Sequence, residues 1–73
     1  MPPTQSAKVQ SVEVESTGGG CYATLLTLDD GRIVITTNID PTTTICADRS
    51  AWDNSEYSGE FEDLTTALLS VGL

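Results

Sequence analysis

Between Leu28 and Ile33 the chain reads Leu-Asp-Asp-Gly-Arg-Ile, with apolar and β-branched runs on both sides. Asp30-Gly31 suits the positive backbone torsions of a two-residue type I′ turn, so this stretch predicts an antiparallel hairpin. With those two residues as the loop, Leu28 faces Ile33, Leu26 faces Ile35, Thr24 faces Thr37 and Tyr22 faces Ile39, all on the core side. The other side sets Cys21, Ala23, Leu25 and Thr27 with Val34, Thr36 and Asn38, a mixed surface. Such strands are expected to be central and partly covered on both faces.

Upstream, Val12 and Val14 alternate with Glu13 and Glu15, the pattern of a strand buried on one side, while Val9 is out of phase with it. Ser16-Thr17-Gly18-Gly19-Gly20 supplies a reversal looser than a tight hairpin requires, and a mobile loop is expected there. Asp40-Pro41 ends the hairpin, because proline disfavours helical torsions before it and cannot donate to a ladder. Thr42 to Cys46 is β-branched enough for a fourth, short strand.

Asp48 to Gly59 reads as a long polar loop with one helical turn around Ser50 to Asp53. From Glu60 to Leu73, the residues Phe61, Leu64, Leu68 and Val71 fall on one helical stripe. Ser58 or Gly59 would cap this helix, Glu60, Glu62 and Asp63 would complement its dipole, and Gly72 would end it. The expected fold is α+β, a small antiparallel sheet of three to four strands covered by one C-terminal helix. Residues 1–7, with Pro2 and Pro3, are expected to be disordered, and residues 8–73 to form a single domain.

A chain of 73 residues can bury only a modest core. Its charge is far from balanced: Lys8, Arg32 and Arg49 stand against eleven carboxylates, the formal net charge is -8, and there is no histidine. Three cations cannot neutralise a phosphate backbone, so direct nucleic-acid binding is disfavoured, as is an anionic membrane surface. A basic protein surface, by contrast, attracts such a chain. No apolar run is long enough to cross a bilayer, and Met1 to Ser6 has neither a basic nor an apolar region, so the expected location is the cytoplasm, or a host cell's cytoplasm if the chain is phage-encoded. Cys21 and Cys46 are then expected to be free, buried thiols.

Catalysis fits poorly, since general acid-base chemistry at neutral pH usually draws on histidine and no nucleophile is paired with a base in the sequence. No catalytic residue and no cofactor are assigned. Cysteine spacing does not match a structural zinc site. The run Asn54 to Glu62 follows part of a calcium-loop spacing, but it begins on asparagine and places Thr65 where a bidentate glutamate belongs, so it reads as a solvated loop.

The richest signal lies between Asp48 and Asp63, where carboxylates interleave with aromatics and only Arg49 offsets them. Trp52, Asp53, Glu56, Tyr57, Glu60, Glu62 and Asp63 are the candidate partner-binding residues, and Glu13 and Glu15 could extend their face. Carboxylates there could occupy phosphate positions on a basic groove while Trp52 and Tyr57 anchor the contact. The competing reading makes Trp52 and Phe61 core residues and the carboxylates a solubilising surface. No motif places the chain in a family. Size and charge favour a non-enzymatic, stoichiometric inhibitor that blocks the nucleic-acid-binding surface of a larger basic protein, in the manner of phage antagonists of host defence such as anti-CRISPR proteins. The alternative is a structural or accessory module that joins a complex, or dimerises, by pairing the edge strand Val9 to Glu15.

Overall fold

Two glycines, Gly19 and Gly20, take φ of 60° and 81°, the left-handed torsions that a two-residue turn of type I′ demands at both central positions. They join strand β1 (Val9–Gly18) to strand β2 (Cys21–Leu28), with Gly18 opposite Cys21. The loose loop expected here is therefore a tight turn, which the consecutive glycines permit, closed by the Gly18–Cys21 pair after a register shift between Ser16 and Gly18. Strands β3 (Ile33–Thr37), β4 (Thr43–Cys46) and β5 (Gly59–Phe61) follow, with helix α1 (Arg49–Asp53) between β4 and β5 and helix α2 (Leu64–Ser70) after β5. A computed structural model describes residues 8–73, and the segment expected to be disordered, 1–7, lies outside the described residues.

The fold is α+β: a five-stranded antiparallel meander in the order β1-β2-β3-β4-β5, with two short helices. This corrects the expected three to four strands and single helix. The fifth strand comes from the expected helix, since Phe61 pairs with Thr43 and Gly59 with Ile45 in extended backbone. Helix α2 starts only at Leu64, capped by Asp63, whose Oδ1 accepts from the Thr66 amide at 2.8 Å. A carboxylate acceptor at residue 63 displaces the expected caps Ser58 and Gly59 and frees 59–61 to complete β4's ladder. Phe61 still packs beneath α2, so the apolar stripe survives although its first residue lies in a strand. The helix ends as expected: Gly72, at φ 89°, donates to the Leu69 carbonyl and Leu73 to that of Leu68, a Schellman closure.

The β2–β3 register differs by one residue from the expected one. Leu26 lies opposite Val34, Leu25 opposite Ile35 and Thr27 opposite Ile33. The loop has three residues, Asp29-Asp30-Gly31. Gly31 donates to the Leu28 carbonyl at 3.0 Å and sits at φ 95°, and Leu28 donates to the Arg32 carbonyl at 2.8 Å. This is a turn followed by a left-handed glycine, and Asp30 fixes it by accepting from the Arg32 amide at 3.0 Å and pairing with its guanidinium at 2.7 Å. A one-residue slip moves every β3 side chain to the opposite face.

Both faces are consequently apolar, and each carries its own helix. Leu28, Val34 and Ile45 meet Ala67 and Val71 of α2, while Ala23, Leu25, Ile33, Ile35 and Cys46 meet Ala51 of α1. The expectation of strands covered on both sides is met by these two layers. Burial of a side chain such as Leu25, wholly removed from solvent, stabilises by roughly 1.5–3 kcal/mol. Neither helix reaches the far side of the sheet in any depth: α2 lies on β3, β4 and β5, and α1 on β4. Among the described residues, strand β1 therefore keeps its face on the α2 side and one edge open, and all but one of its residues are exposed.

Candidate functional site

The segment after β4 turns back on itself through a side-chain cap and a run of backbone bonds. Asp48 caps α1, its Oδ1 accepting from the Ala51 amide at 2.8 Å. Beyond the helix, Ser55 adopts a left-handed φ of 57°, and the Ser55 and Glu56 amides donate to the Trp52 and Ala51 carbonyls at 3.1 and 2.8 Å. Ser58 then donates to the Ile45 carbonyl at 2.7 Å and delivers the chain to β5. These bonds hold Tyr57 near Trp52, with ring centroids 6.1 Å apart and planes inclined by 32°.

Trp52 is half-buried, packed on the α1-side cluster of Ala23, Leu25, Ile33, Ile35, Cys46 and Ala51. It packs on the core with one part and borders the surface with another. Tyr57 is exposed, as are Asp53 and Glu56. Glu60 lies opposite Thr44, and Thr44 opposite Ile35, so alternation puts Glu60 on the α1 face, where it is exposed. Glu62 is exposed between β5 and α2. Asp63 is separate from the others, committed to capping α2, and the Thr66 amide holds its carboxyl below the usual aspartate range. Phe61 belongs to the opposite core.

Arg49 organises this face, a role that its position in the sequence does not announce. Its guanidinium reaches Asp53 at 3.4 Å and Glu13 at 3.9 Å and hydrogen-bonds Glu15, which lies 34 positions away in the chain. The Glu15 bond, with the Asp53 bond behind it, raises the guanidinium pKa above its ordinary value. Glu13 and Glu15 stand opposite Leu25 and Ala23, both buried under α1, so the β1 carboxylates and the α1 residues share one side of the sheet. One side of the sheet therefore carries four carboxylates, Glu13 and Glu15 on β1, Asp53 on α1 and Glu60 on β5, together with Arg49 and the Trp52–Tyr57 pair.

Among the described residues, no three His, Cys, Asp or Glu side chains come together as a metal site. Both cysteines are free, Cys46 buried and Cys21 half-buried. Among the described residues no helix is long and apolar enough to cross a membrane. Comparison with protein-family models, with curated proteins and with solved structures finds no match.

Proposed function

We propose that this chain is a small acidic, non-enzymatic binding protein that docks its α1 face on the nucleic-acid-binding surface of a larger basic protein and blocks it stoichiometrically. The observation that supports this reading is that Glu13, Glu15, Asp53 and Glu60 lie on the same side of the sheet as the Trp52–Tyr57 pair. Carboxylates on a rigid sheet stand in for phosphates, steer the encounter and set its salt dependence. Tyr57, exposed and backed by Trp52, supplies an apolar anchor of the type that dominates interface energies. Glu56 and Glu62 add to the rim, whereas Asp63 acts through the helix it caps. Size and acidity align the chain with phage antagonists of host defence, anti-CRISPR proteins among them, acting in the host cytoplasm.

The test is retention of partners from host lysate on the tagged protein, washed at about 50 mM and about 500 mM salt. A basic nucleic-acid-processing protein should be held at low salt, released at high salt and displaced by added DNA or RNA. Reversing Asp53, Glu56 and Glu60 to lysine should weaken that partner by about tenfold or more. Unchanged retention by the triple variant would sink the reading.

A further inference from the structure

Strand β1 is ten residues long, and among the described residues its outer edge pairs with nothing. Its register against β2 shifts between Val9 and Ser11, and the resulting bulge at Gln10 sets Val9 opposite Leu28, as Val12 is opposite Leu26 and Val14 opposite Thr24. The three valines consequently share the α2 side of the sheet, yet α2 does not reach them, and they are 42%, 58% and 63% exposed. An exposed apolar row beside an open ladder is an association surface unless something blocks it.

Charge identifies the occupant. Along β1, Lys8 and Arg49, which also reaches Asp53, offset Glu13 and Glu15, whereas Arg32 is left with the other carboxylates, so most of the formal charge of -8 lies off this edge. A chain that repels its own copy elsewhere is closer to charge balance here. The order of charges, Lys8 at one end and Glu13 and Glu15 toward the other, is also self-complementary in the antiparallel sense, because a two-fold axis brings each cationic end beside an acidic one.

We propose that two copies of this chain pair β1 with β1 in antiparallel fashion, joining two five-stranded sheets into a continuous one. A register centred on Val12 sets Val12 against its equivalent and Glu13 against Ser11 of the second copy. A register centred on Glu13 would oppose like charges directly and is disfavoured. Backbone bonds along the edge and the doubled valine row hold the pair, while both sheet faces, including the acidic α1 side, stay open. The dimer does not depend on the docking reading, and its test uses the purified chain alone.

Sedimentation equilibrium of the full chain up to about 200 µM should give the mass of two chains. Added salt should strengthen the dimer by screening the charge outside the edge, the reverse of its expected effect on docking to a basic partner. The double variant Val12→Lys, Val14→Lys should be monomeric with an unchanged far-ultraviolet circular dichroism spectrum. In a Cys21→Ser background, Val12→Cys should cross-link two chains rapidly on mild oxidation, and Ser16→Cys should not. A single-chain mass for the natural sequence at every concentration overturns the proposal, as does a dimer that survives the lysine pair. If the lysine variant does not fold, the cysteine pair decides, and no preferential cross-link at position 12 counts against the dimer.

Discussion

Val9 lies opposite Leu28 although Ser11 lies opposite Thr27, so one residue, Gln10, is extra on the β1 side of the ladder. The bulge reconciles a sequence in which Val9 is out of phase with Val12 and Val14 with a structure in which all three share a side.

Deleting Gln10 should therefore be tolerated. Without it, Val9 still falls opposite Leu28 in a register unbroken as far as Ser16, and stability should stay within about 0.5 kcal/mol, the scale of surface changes away from special features. Deleting Glu13 instead throws the preceding residues out of register and onto the wrong face. Urea titration of the two deletions compares them directly; equal losses would show that the bulge has a structural role of its own.

Leu25 and Leu69 give a sharper contrast, since the same change is made in opposite environments. Leu25, on β2 opposite Ile35 of β3, is fully buried in the α1-side cluster, and Leu25→Ala should cost about 2–5 kcal/mol. Leu69 is 68% exposed on α2, and Leu69→Ala should stay within about 0.5 kcal/mol. Denaturant midpoints measured side by side test the assignment of the two faces.

Acid should weaken the C-terminal helix through its cap. The Thr66 amide depresses the Asp63 pKa in the folded state, so its contribution is complete above the unfolded-state pKa and is lost as pH falls through the lower, folded value. Asp63→Asn retains a capping acceptor without the titration. The stability gap between the natural chain and this variant should shrink or reverse from neutral pH down to about 2. Asp30, held low by its bonds to Arg32, titrates in the same direction. A gap independent of pH would refute the role of Asp63.

The two thiols should differ in reactivity. Burial, and secondarily the charge of Asp48, raises the Cys46 pKa above its ordinary value, whereas Cys21 is half-buried at the end of the β1–β2 turn. Only thiolate alkylates readily. Iodoacetamide at mildly alkaline pH should label Cys21 first and Cys46 only after unfolding, as mass spectrometry of peptides would record; equal labelling of the folded chain would contradict the burial of Cys46.

The hairpin between Leu28 and Ile33, the break at Asp40-Pro41, the short strand ending at Cys46, the turn of helix at Ser50 to Asp53 and the stop at Gly72 are written in local chemistry and could be read directly. The β2–β3 register could not, because Ile33 and Ile35 alternate with Val34 and either register buries apolar side chains. Strand β5 was hidden for a related reason: Phe61 lies three residues before Leu64, a spacing that fits a helix but is equally served by a strand passing beneath one. Within the acidic segment, sequence marks the charge and the aromatics but not their sorting. Asp63 turned out to be a cap, Trp52 a shared residue, and the tie from Arg49 to Glu15 spans too much chain for any local pattern to carry it.

The strands stand in the sheet in the order in which they occur in the chain. Assembly thus needs no threading and no crossover: β1 and β2 can zip across the Gly19-Gly20 turn, and each later strand adds to an edge that already exists. Small mixed folds built from such nearby pairings reach the native state on the order of milliseconds. The protein could be ready to meet a partner almost as soon as its last helix is complete.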